Sequence, residues 1–241
     1  MFYFLSPILI YNGILIAAAV IPAIFLMIKV YRSDRLEKED PALLRGLVTK
    51  GILSSLLALV EEKILSLILG ALVPQGTLLF NILLYFVVVA CSEESSKYIF
   101  LKKNTWKNVN FNCQFDGVVY AVFVALGFAL WENISYVMSY GLSTALVRAV
   151  TAIPGHACFG VFMGVFYGIA KRYENAGDLS RSSMMRGLSI LVPVLLHGAY
   201  DYIASMEQIN SGWYFIGFVA VLFAVSYALI VKASRMDTYI E

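Results

Sequence analysis

The sequence predicts an all-α fold, a polytopic bundle of about seven transmembrane helices in a single integral membrane domain over residues 1–241. Three observations carry this. Hydrophobic residues make up 60% of the chain and charged residues 14%, against roughly 25% charged in soluble domains. Mean hydropathy is +0.78. Apolar runs of about 20 residues, enough to cross a hydrocarbon core, recur along the whole chain.

The runs fall at about 6–30, 47–73, 78–100, 116–138, 144–170, 187–206 and 213–232. The first lacks the basic flank of a cleaved leader and is expected to stay as a span. The segments between runs carry turn chemistry: SDRLEKEDP, PQG, KKNTWKN, SYGLS, KRYENAGDLSR and EQINSG. Basic residues alternate from loop to loop. Arg32, Arg35, Lys38 and Arg45 flank the first loop, Lys102, Lys103 and Lys107 the third, and Lys171, Arg172, Arg181 and Arg186 the fifth; Lys232 and Arg235 follow the last run. Positive loops stay in the cytoplasm, so the N-terminus is expected outside and the C-terminus in the cytoplasm. The lipid bilayer is thus the first partner, and the location a cell membrane. A net charge of +2 gives no basic surface for nucleic acid, and none is expected as a partner. The three cysteines, Cys91, Cys113 and Cys158, lack zinc-type spacing and are expected as reduced structural thiols.

Ionisable residues inside the runs are the functional signal. A charge at the bilayer centre costs about 2.5–3.5 kcal/mol on insertion scales, so such groups face a polar interior. Glu93, Glu94 and Lys97 lie in the third run and Glu132 in the fourth. His156 lies in the fifth, His197 and Asp201 in the sixth. Both histidines of the chain are therefore near mid-span. His197 and Asp201 share a helix face at i,i+4, as do Glu93 and Lys97, and Glu132 and Tyr136. Glu94 is turned about 100° from Glu93. Gly160, Gly164 and Gly168 form a smooth strip beside His156 that lets a neighbouring helix approach closely. Lys97 is expected to neutralise one glutamate or snorkel to the interface. Glu61, Glu62 and Lys63 of the second run are expected to form a local salt-bridged patch or a re-entrant break, with both glutamates outside the cluster.

The ordered motifs resemble a known family. SEESSKYIF resembles the EExxK motif of PrsW-type intramembrane proteases, and FDGVVYAVFVALGFALWENISYV their second signature, with Trp131 before Glu132 where the family usually has Phe. VRAVTAIPGHACFGVFMGVFYG resembles the third, HxxxG, at His156 and Gly160, and VPVLLHGAYDYI the fourth, at His197 and Asp201. The motif core spans about 90–205. The resemblance implies a bacterial membrane endopeptidase, related to the CAAX prenyl endopeptidases and the bacteriocin-immunity membrane proteins. It further implies a single-span membrane protein as substrate, an anti-sigma factor cut first on the extracytoplasmic side, which frees a sigma factor in a stress response.

Peptide hydrolysis needs an activated water, a group for the oxyanion and a proton for the leaving amine. Glu93, Glu94, His156, His197, Asp201 and Glu132 are the candidates for those roles. Glu93 or Glu94 suits a general base, with His156 and His197 at the oxyanion or as proton donors and Asp201 orienting His197 or accepting a hydrogen bond from the water. Glu93 is preferred as the base, because Lys97 shares its face, and Glu94 as a holder of the hydrogen-bond network. Alternatively His156, His197 and a carboxylate bind zinc with an open position for water. Two other functions fit the same residues: a proton- or cation-coupled transporter, since Glu, His and Asp chains also relay protons, and a non-catalytic membrane binding protein.

Loop charge generates the topology test. A cysteine placed at Asn104 should resist a membrane-impermeant thiol reagent on intact cells, and one at Gln75 should react. The reverse pattern inverts the orientation.

Overall fold

Helices α1 (Pro7–Ser33) and α2 (Pro41–Leu72) open the chain, joined by an irregular segment at 34–40. The computed structural model describes residues 7–206 and 211–240, the side chains of residues 7 and 8 excepted. The start of the first expected span at residue 6 and the loop positions 207–210 lie outside the described residues. Asp40 caps α2, its carboxylate accepting from the Ala42 N–H, and Pro41 fills the first helical position, where no N–H is needed. The third span is composite. It runs from α3 (Leu78–Ile82) through a π-helical stretch (Leu83–Ala90) into α4 (Cys91–Thr105). Then follow α5 (Asp116–Tyr140), α6 (Leu142–Val150), α7 (Ala152–Asn175), α8 (Leu179–Ala204) and α9 (Ser211–Arg235).

Among the described residues, six helical stretches are long and apolar enough to cross a membrane: α1, α3 through α4, α5, α6 with α7, α8 and α9. Helix α2, of 32 residues, is as long but carries Arg45, Lys50, Glu61, Glu62 and Lys63. The fold is all-helical and the protein a multi-pass membrane protein. Among the described residues, β-type pairing is limited to one antiparallel bridge, Cys113 with Tyr239. One expected span differs. The run at 144–170 is two helices broken at Thr151 (φ −119°, ψ −66°). Pro154 fits the break: it has no N–H for the Val150 carbonyl and stands in the first turn of α7, where no intrahelical N–H is needed.

Helix α5 is the spine and packs against α1, α2, α4, α6 and α7. Small residues make those approaches possible, as the glycine strip predicts. A Cβ on Gly160 would stand 2.9 Å from Ala125 Cβ of α5. At Gly164 it would run into the backbone of Gly117 and Val118. Gly51 of α2 meets Gly127 of α5 in the same way. The outer faces are lined with exposed Leu, Ile, Val and aromatic side chains, as a lipid-facing surface requires.

The base-rich segments gather at one end. There the C-terminal residues lie against the α4–α5 loop, with Ile240 N–H donating to Asn112 C=O (2.7 Å) and Gln114 N–H to Thr238 C=O (3.0 Å). Ser234 also donates to the Ser33 carbonyl at the foot of α1. Asp34 is buried at this junction. Its carboxyl is pushed up to about 6 by burial, with Lys38 pulling the other way.

The α5–α7 contact generates a stability test. Gly164→Val should lower thermal stability in detergent by the equivalent of about 1–3 kcal/mol or more. Gly217→Val, with nothing within 4 Å of a new Cβ, should leave it unchanged.

Candidate active site

The π-helical stretch adds a residue per turn just before α4, so the face bearing the two acids is re-aimed relative to α3. That face points inward. Glu93, Glu94 and Lys97 are all buried, with Lys97 at 0% exposure. The Lys97 ammonium stands 3.1 Å from Glu93 Oε2, 2.7 Å from Glu94 Oε1 and 3.1 Å from His156 Nδ1. Its fourth neighbour is the Phe128 ring, 4.0 Å from the ring centroid. The expectation that Lys97 snorkels or neutralises one glutamate is therefore corrected: it is enclosed and does neither. It pairs with both, because a lysine at i+3 and i+4 lies between two acids adjacent in sequence.

His156, on α7, is held from its other side. Its Nε2 lies 2.7 Å from Glu132 Oε2 on α5. The second Glu132 oxygen pairs with Arg148 of α6 at 2.8 Å. Arg148 also donates through Nε to Asn133 Oδ1 (2.6 Å) and lies over the Tyr136 ring at 3.9 Å. Glu132 thus contacts a histidine and an arginine rather than bonding Tyr136.

His197, on α8, closes the arrangement. Its Nδ1 is 2.9 Å from Glu94 Oε1 and 3.9 Å from Glu93 Oε2, and its Nε2 is 3.3 Å from Asp201 Oδ2. The imidazole stacks on Phe159 (centroids 4.7 Å apart) and meets His156 edge-on at 5.4 Å. All six residues singled out in the sequence therefore converge from α4, α5, α7 and α8. The two acids differ in setting. Glu93 borders a cavity of about 460 Å³, together with Glu132, His156, His197 and Asp201. Glu94 lies behind it at 0% exposure, with its Oε2 unpaired among the described residues.

The second span departs from expectation. Glu62 is not outside the cluster: Ser55, Leu59 and Glu62 line the same cavity. They lie at i, i+4 and i+7, one face of α2. Glu61 accepts from Ser96 Oγ on α4 at 3.1 Å. Lys63 is exposed and forms no ion pair among the described residues, so the three are not a self-contained charged patch. The α2–α4 contact, invisible in a list of runs, pulls the two glutamates inward.

Comparison with known proteins fits this arrangement. A family model described as PrsW family intramembrane metalloprotease matches residues 39–230. A "Protease PrsW" of Halalkalibacterium halodurans is 30% identical over 223 residues, 92% of this chain and 98% of the relative. The chain belongs to the PrsW family. Another "Protease PrsW", from Clostridioides difficile, is 32% identical over 226 residues, 91% of this chain and 87% of its own length. One from Bacillus subtilis is 38% identical over 130 residues, 54% of this chain and 57% of its own. No solved structure matches the chain significantly. The protein is a peptidase by family, and the cavity lies inside its membrane bundle.

The family description raises the question of a metal. Glu93, His156 and His197 each offer a ligand atom, all within 4.8 Å of one another. Two histidines and a glutamate are a donor set found at catalytic zinc, so the residue types fit. The Lys97 ammonium already rests on Glu93 and His156. An ion could share Glu93 with it, but an imidazole nitrogen has a single lone pair, so the ion would have to take His156 Nδ1 from Lys97 or Nε2 from Glu132.

Two contributors escaped the sequence reading of this PrsW protein, Glu62 and Arg148. Arg148 carried a signal, as a base inside an expected span, but its partners are fixed only by the fold. It binds Glu132, Asn133 and Tyr136 at once, which a point-charge ammonium does not reproduce. Arg148→Gln should lower peptidase turnover roughly 10- to 100-fold, the range seen for outer-shell partners of metal-bound histidines. Arg148→Lys should recover only part of it. Turnover measured at matched membrane levels checks both.

Proposed function

We propose that this PrsW-family peptidase hydrolyses a peptide bond of a single-span membrane protein with water activated by Glu93. The observation that carries the reading is the position of Glu93. Among the two adjacent acids it is the one at the cavity wall, with its Oε2 on Lys97 and the two histidines opposite. In this reading Glu93 takes a proton from water, and the resulting hydroxide adds to the scissile carbonyl. An N–H of His156 or His197, released from its present carboxylate partner, donates to the developing oxyanion, and Glu93 then hands the proton it took from water to the leaving amine. Glu132 and Asp201 hold the two rings, and Glu94 holds His197 and Lys97 from behind. Burial within the bundle strengthens each of these contacts.

The cavity is bordered by Tyr136 near the end of α5 and Ser205 just past α8. These ends lie away from the base-rich loops. With the orientation expected from loop charge, the cut falls toward the outer leaflet. That suits a single-span regulatory protein, such as the anti-sigma factor the family resemblance implies, cut first on its extracytoplasmic side. A helical substrate has its peptide bonds hydrogen-bonded internally. The cut segment must therefore unwind to enter a cavity of this size.

A metal-dependent reading is favoured by one observation, the compact Glu93, His156 and His197 set. An ion such as zinc, when bound there, supplies Lewis acidity and a more acidic water. The chain's own residues would keep the same duties of orienting the rings and excluding lipid.

The test is cleavage of a single-span substrate by purified protein in lipid. Glu93→Gln should reduce turnover by about 10²- to 10⁴-fold, the usual contribution of a general base, while substrate capture persists. A chelator should leave the wild-type rate unchanged. Loss of activity with chelator, restored by zinc, moves the assignment to the metal-dependent reading. Near wild-type cleavage by Glu93→Gln removes Glu93 from the chemistry.

A further inference from the structure

The strongest unassigned group lies at the opposite end of α5. Asp116 opens the stretch that resembles the second signature, yet it sits about 24 Å along the helix from Glu132. It serves no role in the cavity. Around it the fold gathers two more buried acids, Asp34 from the foot of α1 and Glu39 just before α2. One oxygen of each of the three lies within 4.8 Å of the others.

The three carboxylates are unequally supported. Asp116 Oδ2 accepts from the Asn112 N–H (3.0 Å) and the Cys113 N–H (2.7 Å). Glu39 Oε2 accepts from the Tyr120 hydroxyl at 2.7 Å. Asp34 is held less well, with only the Glu37 N–H turned toward it, short of hydrogen-bond geometry. It is 2% exposed, and neither carboxylate oxygen has a hydrogen-bond partner among the described residues. The nearby Lys38 ammonium donates to the backbone carbonyls of Tyr31 and Asp34 instead. Asp237, from the C-terminal segment, adds a further acid beside the group. Its Oδ1 accepts from the Phe115 and Thr238 N–H groups and its Oδ2 is unpaired.

We propose that Asp34, Glu39 and Asp116 form a binding site for a hard divalent cation of calcium's size, which ties the α1–α2 segment to the start of α5. An isolated buried carboxylate is costly, and here two others face it without a bridging base. Three converging carboxylates are the donor type of Ca2+ and Mg2+. A site built from three buried protein carboxylates suits Ca2+, which accepts flexible all-oxygen protein cages, better than Mg2+, which usually keeps several waters and takes one or two carboxylates. The ion would supply the partner that Asp34 lacks. It would also brace the junction where α1, α2, the α4–α5 loop and the C-terminal segment meet, away from the peptidase cavity.

The test uses the full chain, purified in nanodiscs and stripped with chelator, with Ca2+ titrated by calorimetry. Thermal unfolding is followed in parallel. One Ca2+ should bind with Kd between about 1 μM and 1 mM, within the range of protein calcium sites, and raise Tm by several degrees at excess ion. Asp34→Asn and Glu39→Gln should each weaken binding at least tenfold. Asp34→Asn, which removes the unpartnered charge, should have a Tm in chelator equal to or above that of the wild type. Glu93→Gln should bind Ca2+ as the wild type does. The proposal is overturned by absence of saturable binding into the millimolar range, by binding that Asp34→Asn leaves intact, or by binding that Glu93→Gln removes. That last result would move the ion to the peptidase cavity.

Discussion

The buried Lys97 ammonium is the contact on which the site depends. It is wholly enclosed and touches Glu93, Glu94 and His156, from two helices, at hydrogen-bond distance. A lone ammonium or a lone carboxylate is expensive at this depth, so each of these groups makes the others tolerable. The consequence is cooperative. Removing one partner of such a set leaves an uncompensated charge, typically a loss of about 3–5 kcal/mol. The two glutamates that look misplaced in an apolar run are stable because one lysine, a helical turn away, lies between them.

A second layer of constraint comes from the rings. Each histidine has both nitrogens engaged, His156 by Lys97 and Glu132, His197 by Glu94 and Asp201. Phe159 stacks on one ring and meets the other edge-on. Such bracketing fixes ring orientation, which a hydrolytic site needs because a misplacement of about 1 Å is costly in rate. Helix α5 ties these contacts to the rest of the bundle. It carries Glu132 and Asn133 near one end and Asp116 at the other, and glycines on α2 and α7 let it pack at backbone distance.

Much of this was legible in the sequence. Apolar runs of membrane length and alternating loop charge marked the helical bundle. Ionisable residues inside the runs marked Glu93, Glu94, Glu132, His156, His197 and Asp201, because lipid tolerates such groups only where a polar interior exists. The glycine strip marked the α7 face that packs closely. What escaped was relational. Nothing along the chain shows that α2 lies against α4, so the sequence alone leaves Glu62 in a separate patch. Arg148 lies fifteen residues from Asn133, its partner, across the turn between α5 and α6. The break at Thr151 carries no signal in hydrophobicity, which continues through it while Pro154 interrupts only the hydrogen bonds.

The sequence by itself therefore determined the class of protein, the helices that bear charge and the residues that share a helix face. Those follow from the cost of moving polar groups into lipid and from the helical repeat, both of which act locally. The tertiary structure alone decided that Glu93 borders the cavity while Glu94 lies behind it. It also decided that Lys97 bridges helices, and that Asp34, Glu39 and Asp116 meet at the far end. These depend on which faces of distant helices touch, and that is set by interhelical packing, which no single run of residues encodes.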